Sequence, residues 1–213
     1  METFNLLEQL AEEKFLPLYT ATSEKHLPLA KELLLKHQLH FIEITYRSSL
    51  ASQAITELAK DSSLIVGAGT VRNLETLKEA IDSGASFIVT PGFSDEIVAY
   101  CVEKNIPIIP GAVTPSEIMR AASYGLNVVK FFPADMYGGL KSIQSLSGPF
   151  YDMKFVPTGG INQGNCRNFL STPEILAVGG SFILSEKRIM KDNGKTADQK
   201  LATLIKIRNQ NKK

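Results

Sequence analysis

Phe41-Ile42-Glu43-Ile44-Thr45-Tyr46-Arg47 places Ile42, Ile44 and Tyr46 on one face of an extended chain and Glu43, Thr45 and Arg47 on the other. If helices cover one face, an unpaired carboxylate pressed beneath them is strongly disfavoured. The isoleucines and Tyr46 therefore face outward, and Glu43, Thr45 and Arg47 face an interior, as in a barrel strand. Seven comparable runs accompany this one: Phe15 to Thr20, Leu64 to Gly67, Ser86 to Thr90, Pro107 to Pro110, Asn127 to Phe132, Lys154 to Thr158 and Ile175 to Val178. Between them lie stretches with helical spacing, such as Leu74, Leu77, Ala80 and Ile81 ending at Gly84, or Ile97, Val98, Cys101 and Val102 after Ser94. Thr114-Pro115-Ser116-Glu117 reads as a capping box with proline in the first turn.

The strand period of about 20 to 27 residues also suits a solenoid, but the units share no repeated signature. No GxGxxG opens the first crossover, which disfavours an open doubly wound sheet. Strand alternating with helix thus predicts an α/β fold, a (β/α)8 TIM barrel forming one domain over residues 1–213. An extra amphipathic helix over 1–14 (Leu6, Leu7, Leu10, Ala11) is expected to plug the barrel bottom, and 206–213 reads as a polar, frayed, basic tail.

A chain of 213 residues, 44% of them hydrophobic, can bury a full core, which excludes disorder. Its 23 basic and 22 acidic side chains leave no charge excess, so nucleic acid is not an expected partner. No apolar run approaches the roughly 18 residues of a membrane span. Glu2, Glu8, Glu12 and Glu13 make the start too acidic for a targeting peptide, and a cytoplasmic location is expected. Cys101 and Cys166 belong to no CxxC or Cys/His cluster and read as buried free thiols. His26, His37 and His40 lack ligand spacing and a carboxylate orienter and read as surface histidines; no metal or other cofactor is expected. Met119, Met136, Met153 and Met190 read as packing residues.

In Asn127-Val128-Val129-Lys130-Phe131-Phe132-Pro133 both faces are apolar, and the lysine decides the orientation: only the lumen mouth has room for an ammonium group or its partner. Desolvation favours the neutral amine that a Schiff-base nucleophile needs. Glu43 is the natural partner. A plain buried ion pair between two strands explains both residues equally well on composition alone. Their place near the carboxyl ends of their strands, where barrels of this class build active sites, favours chemistry. Gly159-Gly160 follows the seventh run and Gly179-Gly180-Ser181 the eighth, where such barrels bind phosphate through backbone N–H groups. Paired glycines also make tight turns, but two pairs at those strands favour a phosphorylated substrate. Arg47 can clamp a carboxylate, and Gly67-Ala68-Gly69-Thr70 offers backbone donors and a hydroxyl.

Phe41-Ile-Glu-Ile-Thr-Tyr-Arg47, Val66-Gly-Ala-Gly-Thr-Val71, Thr90-Pro-Gly92, Ile108-Ile-Pro-Gly111, Lys130-Phe-Phe-Pro-Ala134 and Pro157-Thr-Gly-Gly-Ile161 occur in that order. These segments resemble the bacterial 2-keto-3-deoxy-6-phosphogluconate / 4-hydroxy-2-oxoglutarate aldolase family, from the first strand to the eighth. The resemblance implies a metal-independent class I aldolase, a trimer, and a small keto-acid phosphate substrate. It implies that Lys130 forms the imine and Glu43 accepts and donates protons. Arg47 and Thr70 would bind the pyruvate portion, with Pro91 and Phe132 bordering the substrate. Thr158 would influence stereoselectivity, and Gly159, Gly160, Gly180 and Ser181 would hold the phosphate. Tyr46, Ser48 and Asp135-Met136-Tyr137 depart from the family's commonest pattern. Two rivals share the scaffold: a phosphosugar epimerase or isomerase, and a non-catalytic phosphosugar-binding barrel.

Overall fold

The computed structural model describes residues 3–210. Eight strands lie among them: β1 (Phe15–Tyr19), β2 (Phe41–Thr45), β3 (Ile65–Gly69), β4 (Phe87–Val89), β5 (Ile108–Ile109), β6 (Val128–Phe131), β7 (Lys154–Pro157) and β8 (Val178–Gly180). Helix α1 (Thr3–Glu13) precedes β1; α2 (Leu27–Lys36), α3 (Ala51–Ala59), α4 (Leu74–Asp82), α5 (Asp95–Glu103), α6 (Pro115–Ser123), α7 (Gly139–Ser147) and α8 (Cys166–Leu170) each link successive strands. Helices α9 (Glu186–Asp192) and α10 (Lys195–Gln210) follow β8. Met1 and Glu2 of the expected first helix, and 211–213 of the expected tail, lie outside the described residues.

The chain adopts an α/β fold with a parallel sheet, hydrogen-bonded in two pieces rather than as one continuous ladder. Six strands pair in the order β5-β4-β3-β2-β1-β8, and β6 pairs with β7. Isolated parallel bridges mark the seams, Gly111 to Lys130 on one side and Phe155 to Ile175 and Thr158 to Gly179 on the other. Prolines explain the first seam: β5 is two residues long and lies between Pro107 and Pro110, which have no N–H to give.

The inward and outward faces sort as the alternation predicts. Ile42, Ile44, Val66, Ala68, Ile88 and Val129 pack outward against the helices, whereas Phe41, Ile65, Phe87, Val89, Val128 and Val156 fill the interior. Leu6 and Leu10 of α1 join that interior cluster, so the N-terminal helix closes its lower end. Tyr46 packs on the outer core, its hydroxyl 3.0 Å from Ser52 Oγ. Local signals also hold: Asn73, Ser94 and Thr114 cap α4, α5 and α6, the last in a full capping box.

Four expectations need correction. Residues 206–210 are not a frayed tail but the end of α10. Its Ala197, Leu201, Leu204 and Arg208 form a buried stripe at helical spacing, which carries the polar sequence along. Of the methionines read as packing, Met119, Met136 and Met190 are 57–79% exposed, and only Met153 is in the core. Two of the three histidines do have carboxylate partners: His37 Nε2 lies 2.6 Å from Asp198, and His40 Nδ1 2.7 Å from Glu13. Those contacts join distant segments and leave no sequence spacing to read. Finally, Gly179-Gly180 is not a turn closing the eighth strand but β8 itself, paired with Leu16 and Pro17.

Candidate active site

Strand β2 delivers Glu43 and strand β6 delivers Lys130 to the same interior layer, two residues above Phe41 and Val128. Lys130 Nζ donates to Glu43 Oε1 at 3.2 Å, and both side chains are almost wholly buried, 4% and 0% exposed. The other carboxylate oxygen, Oε2, is buried without a hydrogen-bond partner. A Cβ on Gly69, which lies beside Thr45 in the β2–β3 register, would fall onto the Glu43 carboxylate, so glycine is what admits the acid there. The Phe132 ring centroid is 5.6 Å from Nζ. A buried charged pair of this kind adds little net stability. An orphaned oxygen on it calls for a role beyond structure.

Above the pair opens a cavity of about 320 Å³. Thr45, Arg47, Phe132 and Thr158 line it. Thr20 does so too, its hydroxyl 2.6 Å from that of Thr45. Thr158 Oγ1 is buried there with no partner. Gly159, Gly160, Gly180, Ser181, Ser185 and Arg188 line it as well. Gly159 and Gly160 have φ of 92° and 73°, a turn that side chains other than glycine rarely take. The Gly160 carbonyl is turned away to accept from Asn165 Nδ2 at 3.0 Å. Among the described residues no hydrogen bond uses the N–H of Gly159, Gly160 or Ser181. Unspent backbone donors on a concave wall suit a phosphate or carboxylate.

The structure brings Arg47, Phe132, Thr158, Gly159, Gly160, Gly180 and Ser181 to the cavity wall; Lys130 and Glu43 do not line it but lie two residues before Phe132 and Thr45, which do. Thr70 follows Gly69 at the end of β3 but does not line the cavity; its φ of 61° is a strained conformation for a β-branched residue. Pro91 is not brought in. It borders a separate hollow of about 190 Å³ with Val71, Thr90 and Gly92. The Thr90 hydroxyl there donates to the Gly92 carbonyl at 2.7 Å and accepts from Gly111 N at 3.2 Å. That turn braces the segment that bridges to Lys130. Asp135, Met136 and Tyr137 are exposed, outside the cavity. Thr20, Thr45, Ser185 and Arg188 were missed as site residues. Thr20 and Thr45 could have been found by taking every polar residue at the carboxyl end of a strand; Arg188 carries no such signal.

Both cysteines are free and buried. Burial pushes the Cys101 thiol up to about 12 and raises that of Cys166. Among the described residues no three His, Cys, Asp or Glu gather as metal ligands, and no helix is long and apolar enough to cross a membrane.

The comparisons with known proteins converge. The family model described as "KDPG and KHG aldolase" matches residues 6–199. The 2-dehydro-3-deoxy-phosphogluconate aldolase of Haemophilus influenzae is 41% identical over 193 residues, 90% of this chain and 91% of that protein. The KHG/KDPG aldolase of Escherichia coli K12 is 41% identical over 162 residues, 76% of each chain. The crystal structure of a KDPG aldolase from Legionella pneumophila, with pyruvate captured as a covalent carbinolamine intermediate, superimposes with a TM-score of 0.87. It is 31% identical, over 92% of this chain and 95% of that one.

Proposed function

The chain belongs to the KDPG and KHG aldolase family and is a carbon–carbon lyase, and from that membership we propose that Lys130 and Glu43 carry out an imine-forming cleavage of 2-keto-3-deoxy-6-phosphogluconate, of 4-hydroxy-2-oxoglutarate, or of both. The observation that carries this reading is the buried pair at 3.2 Å with one carboxylate oxygen unspent, lying beneath a cavity with free backbone donors in its wall.

A proton passes from Lys130 to Glu43, and the freed Nζ attacks the C2 ketone. The carbinolamine hydroxyl then leaves as water, taking the proton from Glu43. The carboxylate is again a base, and the iminium is an electron sink. Glu43, directly or through a water, takes the C4 hydroxyl proton as the C3–C4 bond breaks; the aldehyde departs as glyceraldehyde 3-phosphate or glyoxylate, leaving an enamine. The same carboxyl protonates C3, and hydrolysis of the imine releases pyruvate.

Arg47, with Thr70, holds the substrate carboxylate, a role that the strained φ of Thr70 supports. The unpartnered Thr158 hydroxyl meets the hydroxyl end of the breaking bond and biases its configuration. The N–H groups of Gly159 and Gly160, with Gly180 and Ser181, hold the phosphate. Phe132 keeps water from the imine. Treating both sheet pieces as one closed (β/α)8 barrel, as a single domain with α1 as its lower cap, supports a site at the carboxyl ends of the strands. A homotrimer in the cytoplasm completes the proposal.

The test is borohydride with pyruvate followed by intact mass. An irreversible lactyl-sized adduct mapping to Lys130 is expected, and no adduct, or one on another lysine, overturns the reading. Turnover of both substrates, alongside the C4 epimer of the first, identifies the preferred acid.

A further inference from the structure

Arg47 and Arg188 are the two charged residues that line the cavity, and the function proposed above leaves Arg188 without a role. It lies in the first turn of α9 and lines the cavity beside Ser181 and Ser185, half-buried. Its Nη1 donates to the Phe182 carbonyl at 3.2 Å, which fixes the guanidinium against the loop after β8. That contact spends one of five donors. Among the described residues no carboxylate pairs with it. Glu186, two residues earlier, is occupied elsewhere: its oxygens accept from Thr22 N at 2.8 Å, Ser23 N at 3.0 Å and the Thr22 hydroxyl. Burial lowers the pKa of Arg188; burial first, and then the Arg188 charge, lowers that of Lys200.

A half-buried cation without a counter-charge is partly desolvated with no compensating partner, and an anionic ligand offsets that cost. The proposed substrate has two anionic ends, and the cavity has two guanidinium groups. Arg47 follows β2, which carries Glu43, and serves the carboxylate; Arg188 belongs to the segment after β8 with Ser181 and Ser185 and lines the same cavity as Gly159 and Gly160, whose N–H groups are unspent. We propose that Arg188 is a specificity-determining residue that binds the substrate phosphate through charge-assisted hydrogen bonds, and so sets this enzyme's preference for phosphorylated over unphosphorylated keto acids. This rests on the aldolase reading and adds to it a residue that the sequence patterns did not select.

The experiment uses the full chain and two substrates with the same reacting end, 2-keto-3-deoxy-6-phosphogluconate and its unphosphorylated counterpart. Arg188→Met keeps the apolar stem and removes the charge; Arg188→Gln is the second neutral variant, and Arg188→Lys restores the charge without the fork. The ratio of kcat/KM for the phosphorylated over the unphosphorylated acid is expected to fall about 10- to 100-fold in the neutral variants, the loss residing in KM, with partial recovery in Arg188→Lys. Competitive inhibition by inorganic phosphate is expected to weaken in parallel. Equal losses on both substrates, or an unchanged ratio, overturn the assignment and leave Arg188 a brace for the loop after β8. The two levels fail separately. Pyruvate trapping on the wild-type chain does not engage the phosphate end, so a missing adduct rejects the aldolase reading, whereas a normal adduct with an unchanged ratio rejects Arg188 alone.

Discussion

The lower and upper halves of the sheet interior differ within two residues of the same strands. Below, Phe41 and Phe87 pack with ring centroids 5.9 Å apart, and Leu6 and Leu10 of α1 close the end. Above, Glu43 and Lys130 stand on the strands that carry Phe41 and Val128, with Glu43 Oε2 orphaned, and a second orphaned oxygen, Thr158 Oγ1, lies two residues beyond Val156, the register partner of Lys130. At about 3.3 Å of rise per residue the two layers lie about 7 Å apart. The lower layer stabilises the fold by burying apolar surface. The upper layer spends much of its ion-pair attraction on desolvation and leaves hydrogen-bonding capacity unused. Adjacent layers of one interior have thus been given different tasks, and substitutions should separate them.

The largest effect is expected for Lys130→Ala, which should abolish both the borohydride-trapped adduct and turnover; undiminished cleavage would remove Lys130 from the mechanism. Glu43→Gln keeps the shape and removes the carboxylate proposed as the base, and kcat should fall about 10²- to 10⁴-fold, measured at saturating substrate. In the lower layer Phe87→Ala should destabilise by about 3–5 kcal/mol in denaturant melts, with the surviving folded enzyme still trapping pyruvate. A double variant sharpens the contrast: Glu43→Leu with Lys130→Met should be inactive yet hold or gain stability, by up to about 1–4 kcal/mol, because an apolar pair needs no desolvation. A marked fall in its melting temperature would mean the ion pair is structural after all. The smallest effect is expected for Thr114→Ala, which removes a helix cap remote from both layers and should cost about 1 kcal/mol with kcat unchanged.

Much of this division was legible in the chain because a charge in a period-2 pattern reveals which face is inside. Glu43 orients β2 unambiguously, and Lys130 does the same for β6, where the apolar residues alone are silent. Glycine hides the same information: Gly179-Gly180 has no side chains to alternate, so the pair reads as a turn while the backbone makes β8. The end of α10 was hidden for the opposite reason. Lys206, Arg208 and Lys213 dominate the local composition, and only the long stripe through Ala197, Leu201 and Leu204 shows that Arg208 continues a buried face. Arg188 became visible only when the loop after β8 met the glycine turn after β7, a juxtaposition of segments with no shared pattern. Pro91 shows that a segment shared with a family marks a position without stating whether it touches ligand or braces a neighbour.

The seams of the sheet carry one more implication. The β6–β7 pair is tied to the other six strands by point contacts at Gly111–Lys130, Phe155–Ile175 and Thr158–Gly179, and two of those three involve residues of the site. A pyruvate adduct on Lys130 that also reaches Arg47 would act as a rivet across the join, linking a strand of the small piece to a strand of the large one. Saturation with substrate should then do more than fill a hollow: at a hundredfold excess over Kd it adds about 2.7 kcal/mol to the folded state, delivered where the backbone ladder is thinnest.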